Sequence, residues 1–144
     1  SSMFFIGRNT DYALALEGAL KMKEISYIHA ESYAAGELKH GTIALISEGT
    51  PVIALTCNEE IKEKTVSNIV EVKSRGAKVL AVALHDDKKI ALLANDIVSV
   101  PRFDSVFAPI LEIIPLQLLS YYVAKLNGCD IDKPKNLAKS VTVE

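Results

Sequence analysis

The sequence predicts an α/β fold with a largely parallel sheet that helices cover on both faces. Short, almost continuously apolar runs, the pattern of strands buried on both faces, alternate with longer segments of helical spacing. Glycine and proline lie at the boundaries between the two kinds of segment. Strands and helices that alternate at these intervals favour βαβ crossover units, and therefore parallel strands.

The first third of the chain predicts a strand and then a long helix. Residues 3–7, MFFIG, form a short apolar run that ends in glycine, which is typical of a buried strand. The helix follows from Asp11 onward. Residues 30–41, AESYAAGELKHG, are too irregular for a simple amphipathic helix, and segments of this kind usually shape a site.

The middle of the chain predicts two more strands with a helix between them. Residues 51–56, PVIALT, form a second strand with proline at its first position. Residues 59–75 have apolar side chains on a broad stripe and charges elsewhere, and Gly76 predicts the helix end. Residues 78–84, KVLAVAL, form the third strand.

The last part predicts a fourth strand and a final helix. Residues 90–96 are a short apolar piece compatible with a helix, and residues 96–101 form a strand closed by proline. A mostly apolar helix covers residues 107–126, with Gly128 after it. Pro115 inside this segment predicts a kink or a late helix start.

Composition restricts the class of protein. A chain of 144 residues with 49% hydrophobic content suits one well-packed domain. Net charge is −2 and the basic residues are scattered, so nothing indicates nucleic acid or a membrane surface as a partner. Cys57 and Cys129 lie far apart with no metal-ligand spacing, and no run of about 20 apolar residues occurs, so a cytoplasmic protein is expected.

The helix that begins near Asp11 contains a narrow charged stripe. Glu17, Lys21 and Glu24 fall at i, i+4 and i+7, while apolar residues occupy most of the remaining surface. The plain interpretation is an i, i+4 ion pair between Glu17 and Lys21, which stabilises a helix by about 0.2–0.5 kcal/mol. The alternative is that the stripe is part of a functional surface. The irregular residues that follow the helix favour this alternative.

Two motifs give this stripe a wider context. Residues 15–41, ALEGALKMKEISYIHAESYAAGELKHG, and the tail at residues 130–144, DIDKPKNLAKSVTVE, closely resemble the C-terminal sugar-isomerase (SIS) half of the glutamine–fructose-6-phosphate aminotransferases. The resemblance implies a flavodoxin-like three-layer sandwich of about five strands. It also implies an SIS domain over residues 1–129, followed by a catalytic tail over residues 130–144.

The resemblance implies a reaction and roles for particular residues. Fructose 6-phosphate and glutamine-derived ammonia would give glucosamine 6-phosphate in amino-sugar biosynthesis. Glu24 matches the carboxylate that moves a proton between adjacent carbons, and Lys21 matches a lysine beside the reacting hydroxyl. His40 matches the residue that opens the furanose ring. An imidazole with an ordinary pKa of about 6.5 suits that task, although a lone histidine before glycine is more often structural.

The tail carries the remaining implied residues. Lys139 matches a lysine that forms a Schiff base with the open-chain ketose, and by composition alone it would be an ordinary residue of a frayed end. Ala138 and Glu31 are the substrate-binding residues that the resemblance implies. Asn9 stands where the family usually has glycine, so the entry to the first helix could differ.

No metal and no cofactor are expected. His29, Glu31, Glu37 and His40 are possible ligands, but their spacing is not diagnostic and the implied reaction needs no metal. Cys57 is predicted to be a strand-end residue. The family's glutaminase cysteine belongs to a separate N-terminal domain.

The expected partners follow from the same resemblance. They are the sugar phosphates, the N-terminal glutaminase domain, a preceding SIS half that would hold the phosphate, and a second subunit whose active site His40 would serve. The turn TCNEE, residues 56–60, has two carboxylates where a phosphate-binding half would have serine and threonine. Two alternatives are a non-catalytic SIS module that binds sugar phosphate and a deglycase of fructosamine phosphates.

Overall fold

The computed structural model describes residues 2–135, and the expected site residues Ala138 and Lys139 lie outside this range. The core is one five-stranded sheet with strand order β2-β1-β3-β4-β5, and every neighbouring pair is parallel. The α/β class with a parallel sheet is therefore confirmed. The strands are β1 (Ser2–Gly7), β2 (His29–Ala34), β3 (Pro51–Leu55), β4 (Lys78–Leu84) and β5 (Asp96–Val100).

Helices cover both faces of the sheet, as predicted. On one face, α1 (Thr10–Ser26) packs against α4 (Ala108–Leu126), and both contribute to one apolar core with the sheet. On the other face, α2 (Lys62–Lys73) and α3 (Lys88–Leu93) form a second core with the sheet. The three layers are thus α1 and α4, the sheet, and α2 with α3.

The connection between β2 and β3 has no long helix. It consists of two 3-10 turns, Ala35–His40 and Thr42–Leu45, which we call the 3-10 segment. Ala35 and Leu38 are buried in the same core as α2 and α3. The 3-10 segment therefore lies on the opposite face of the sheet from α1.

Strand β2 is the element that sequence reasoning missed. Its residues, HAESYA, are mostly polar, and only Ala30 among them is fully buried. The strand lies at the edge of the sheet and pairs with β1 alone, so it lacks the continuous apolar pattern of the central strands. Residues 30–34 are regular extended backbone, and the irregular part begins only at Ala35.

Gly76 follows the end of α2 as predicted, but the late helix start predicted from Pro115 is wrong, because α4 begins at Ala108; the kink stays a prediction. Gly76, after α2, has φ +89°, and Pro115 lies inside α4 without ending it, while Pro109 lies in the first turn. Asn9, at the entry to α1, has φ 51°, a region that favours glycine. No helix in residues 2–135 combines the length and apolar character that a bilayer crossing requires.

Candidate functional site

The charged stripe on α1 forms as predicted. The Lys21 ammonium lies 2.7 Å from Glu24 Oε2 and 3.5 Å from Glu17 Oε1, so one lysine bridges two carboxylates. All three side chains are partly exposed. The hydrogen bond to Glu24 raises the pKa of Lys21, and the charge of Glu17 acts in the same direction. The stripe is a polar, water-accessible group on the outer side of α1.

A second group of carboxyl side chains lies at the carboxyl ends of the strands. The sheet order reverses between β1 and β3, the position where open α/β sheets usually bind ligands. A cavity of about 410 Å³ opens there. Asp11 lines it from the start of α1, residues 57–60 from the end of β3, and Glu112 from α4.

Asp11 and Glu112 form a buried pair in this cavity. They are 1% and 4% exposed, and the backbone N–H of Asn58 donates to Asp11 Oδ2 at 3.2 Å. Burial raises the pKa of Asp11 to about 6, and burial together with the charge of Asp11 raises the pKa of Glu112 to about 7. Such a pair holds one proton between two carboxyl groups near neutral pH.

Apart from Arg102, the rest of the cavity lining is acidic or neutral. Arg102 is its basic residue, and its guanidinium binds Glu59 and the Asp86 carboxylate, the latter at 3.0 Å. Cys57 is buried, as expected of a strand-end residue, and burial raises the pKa of its thiol. This setting opposes a phosphate ligand and a reactive thiolate.

Glu31 lies on β2 and faces a different cavity. Its carboxylate accepts a hydrogen bond from the Tyr33 hydroxyl and lies 3.2 Å from His29 Nε2. The Tyr33 bond lowers the pKa of Glu31. With Ser47 and Thr50, Glu31 lines a cavity of about 530 Å³ near the amino ends of the strands. Residues 2–135 contain no group of three or more side chains placed to hold a metal ion.

His40 is the last residue of the first 3-10 turn, and its side chain is exposed. The neighbouring Lys39 reaches across to Glu71 on α2, with Nζ and Oε1 3.4 Å apart. Gly41 follows with φ +135°, a conformation that side chains rarely adopt. His40 is therefore presented outward from the layer that contains α2.

Comparison with known proteins identifies the family. The family model for the SIS domain matches residues 1–126. The chain belongs to the SIS domain family. A glutamine–fructose-6-phosphate aminotransferase (isomerizing) from Clostridium tetani is 61% identical to this SIS domain over 99% of the chain. This chain spans 23% of the length of that relative, so it corresponds to about a quarter of such a protein.

Solved structures agree with this assignment. The C-terminal domain of a glucosamine-fructose-6-phosphate aminotransferase from Francisella tularensis is 43% identical to the SIS domain, with a TM-score of 0.83. It covers 92% of this chain, which spans 37% of that structure. A glucosamine-6-phosphate deaminase from Thermotoga maritima is 29% identical to this chain, with a TM-score of 0.76. The match covers 97% of this chain and 40% of the deaminase chain.

The SIS domain brings together only some of the residues that its sequence predicts. Lys21 and Glu24 contact each other on α1. On β2, Ala30 faces the core formed with α1 and α4. Glu31 and Tyr33 face the opposite side of the sheet, where Tyr33 packs against the core that includes α2. His40 lies on that same side, and Lys139 lies outside the described range. The predicted residues thus divide between two faces of the sheet.

Sequence reasoning missed the buried Asp11–Glu112 pair. Asp11 has a sequence signal, because it follows the first strand at the edge where ligands usually bind. Glu112 has none, since its position in an apolar helix gives no indication that α4 packs on α1 beside Asp11. Only the packing of α4 on α1 shows that the two carboxyl groups meet.

Proposed function

We propose that this chain is the second SIS half of a glutamine–fructose-6-phosphate aminotransferase. The parent enzyme would convert fructose 6-phosphate and glutamine-derived ammonia to glucosamine 6-phosphate in amino-sugar synthesis. The observation that carries the proposal is the Lys21–Glu24 contact on α1, in a chain that resembles relatives of that name along 99% of its length.

The geometry of α1 suits proton transfer between adjacent carbons. Glu24 is held on a helix by a 2.7 Å hydrogen bond from Lys21, so its carboxylate has a fixed direction. It takes a proton from one carbon of the planar intermediate and returns it to the neighbouring carbon. The Lys21 ammonium stabilises negative charge on the adjacent oxygen.

The two faces of the sheet suggest how a complete site is assembled. Glu31 and His40 lie on the opposite side from Lys21 and Glu24, so they would serve the active site of a second subunit in a homodimer. The acidic cavity at residues 57–60 disfavours a phosphate group, which supports phosphate binding by the preceding SIS half.

Exposed apolar side chains support a covering partner. They follow α4 along much of its length, at Ile110, Ile114, Leu118, Tyr122 and Leu126. Contiguous apolar surface of this kind marks an interface. In our proposal the other SIS half or the second subunit covers it, and the glutaminase domain completes the enzyme.

The tail supplies the covalent step. Lys139 condenses with the open-chain ketose as a Schiff base, and Ala138 contacts the substrate beside it. No cofactor is required for this chemistry. A cytoplasmic location fits the two free cysteines.

A second candidate function is deamination, by related chemistry. The similarity to a protein named glucosamine-6-phosphate deaminase, at 29% identity, favours it specifically. A deglycase of fructosamine phosphates belongs to the same class, and a non-catalytic sugar-phosphate module is the remaining alternative. The tail and the Lys21–Glu24 pair favour the aminotransferase over all three.

The test uses the intact enzyme with fructose 6-phosphate and free ammonium, which bypasses glutamine hydrolysis. Glucosamine 6-phosphate should form, and borohydride added with the substrate should trap a secondary amine on Lys139, read by peptide mass spectrometry. Hydrolysis of glucosamine 6-phosphate without net synthesis at high ammonium would favour the deaminase instead. Label on Lys21 or Lys23 alone would remove the covalent role of Lys139.

A further inference from the structure

Arg8 occupies an unusual position at the carboxyl end of β1. Its Nε and Nη2 atoms both donate to Asn68 Oδ1 on α2, at 3.3 and 3.1 Å. Asn68 is only 3% exposed, so this amide oxygen needs the arginine as its donor. Arg8 therefore fastens the end of a central strand to the middle of α2.

The same guanidinium lies directly against Gly36 in the 3-10 segment. A Cβ atom at position 36 would come 2.9 Å from Nη2 and 3.0 Å from Nη1 of Arg8. Real Cβ contacts are longer than this, and the guanidinium is held in place by Asn68. A side chain at position 36 would therefore push the guanidinium away from Asn68, because the backbone of Gly36 lies against both Nη atoms.

The 3-10 segment depends on such contacts for its position. Its hydrogen bonds have poorer geometry than those of an α-helix, so it gains little rigidity from itself. It is held by the buried side chain of Leu38, by the Lys39–Glu71 ion pair, and by Arg8 beneath Gly36. The ion pair is largely exposed on its lysine side and contributes little, so the buried side chains of Ala35 and Leu38 and the contact with Arg8 are the principal restraints on the segment.

We infer that Arg8 is a positioning residue for His40. The guanidinium sets the distance between the 3-10 segment and α2, and His40 is the residue that ends this segment. The inference rests on the proposed function, in which His40 opens the furanose ring. A lysine could not replace Arg8, because an ammonium lacks the fixed fork of N–H donors that binds Asn68 through Nε and Nη2 while the Nη atoms lie against Gly36.

The test compares two substrates in the intact enzyme. Fructose 6-phosphate closes to a furanose through its 5-hydroxyl, whereas 5-deoxyfructose 6-phosphate stays open-chain and needs no ring opening. We expect Arg8→Lys and Gly36→Ala each to lower kcat/KM for fructose 6-phosphate about tenfold or more, since small displacements of catalytic groups have effects of this size. With the 5-deoxy substrate, both variants should approach the unsubstituted enzyme within about twofold.

The ratio of the two kcat/KM values is independent of the fraction of folded enzyme, so a partly unfolded variant remains informative. His40→Asn is the reference, and its defect should also disappear with the open-chain substrate. If it does not, the ring-opening role in the proposed function fails. If His40→Asn is rescued and the Arg8 and Gly36 variants are not, Arg8 does not act through His40 and the inference is overturned.

A double variant supplies a second check on the contact itself. In an Arg8→Ala background the space against Gly36 is open, so adding Gly36→Ala should change kcat/KM less than about twofold further. Independent, multiplicative defects would mean that the two residues do not act through one contact, and would also overturn the inference.

Discussion

Helix α1 carries a carboxyl group near each end, and the two have opposite surroundings. Asp11, in the first turn, is buried beside another carboxyl group, Glu112, and accepts a hydrogen bond from the backbone N–H of Asn58. Glu24, in the last two turns, is partly exposed and accepts a hydrogen bond from Lys21. The two residues are of similar chemical type and belong to one helix, so neighbours and water account for the difference between them.

This contrast separates two kinds of chemistry. At the Glu24 end, the carboxylate beside the Lys21 ammonium favours the charged form of the lysine and so raises the pKa of Lys21. At the Asp11 end, burial and a like charge favour a shared proton. We interpret the first as the reactive end of the helix and the second as a structural contact between α1 and α4.

The largest expected effect tests the reactive end. Glu24→Gln in the intact enzyme should slow synthesis of glucosamine 6-phosphate from fructose 6-phosphate and ammonium at least about a hundredfold, because general acid–base groups contribute 10²- to 10⁴-fold. Glu17→Gln is the matched control, since Glu17 pairs with the same lysine at 3.5 Å, and it should cost less than about threefold. Near-normal turnover by Glu24→Gln would contradict the assignment of Glu24 as the proton-transferring carboxylate.

The next prediction tests the acidic end. The 144-residue chain alone should bind fructose 6-phosphate more weakly than about 1 mM in calorimetric titration, because carboxylates surround the cavity where a phosphate would enter. Fructose without the phosphate serves as the control and should bind equally weakly. Micromolar binding of the phosphate ester would show a phosphate site on this chain and contradict the comparison.

The pH dependence of stability follows from the buried pair. Both acids have ordinary pKa values near 4 when unfolded and raised values of about 6 and about 7 when folded. Between the unfolded and folded pKa values, the folded state therefore binds more protons than the unfolded state. The contribution of the Asp11–Glu112 pair to the free energy of unfolding is fully present below about pH 4 and is lost as pH rises through 6 to 7.

Glu112→Gln should reduce this loss, because an amide N–H can donate to Asp11 without a titrating proton. Between pH 5 and pH 8 the unsubstituted chain should lose about 1 to 3 kcal/mol more unfolding free energy than the variant, measured by urea unfolding. The matched control is Glu60→Gln, an exposed carboxyl of the same cavity. Parallel pH curves for the unsubstituted chain and Glu112→Gln would show that the pair does not share a proton.

The smallest effect again concerns the reactive end. Lys21→Met should change the unfolding free energy of the chain by less than about 1 kcal/mol, since partly exposed ion pairs contribute little to stability. Urea unfolding at low and high salt measures this. A loss of several kcal/mol would mean that Lys21 is a structural residue, and the contrast between the two ends of α1 would lose its basis.

Much of the fold could be predicted because the central strands and helices have strong local patterns. The apolar runs that became β1, β3 and β4 are buried on both faces, so their side chains must be apolar almost throughout. Strand β2 was not predicted, because an edge strand with one neighbour tolerates polar residues and lacks the apolar pattern of a central strand. The division of the chain at residue 129 stays a prediction.

The sequence by itself determined the fold class, the order of most elements and the charged stripe, because periodicity and i, i+4 spacing are local properties of a helix or strand. It also contained the two motifs on which the family resemblance depends. Tertiary structure alone decided that Asp11 meets Glu112, that Arg8 lies between Gly36 and Asn68, and that His40 and Glu24 occupy opposite faces of the sheet. These contacts join residues distant in the chain, and no local spacing encodes which helix packs on which face.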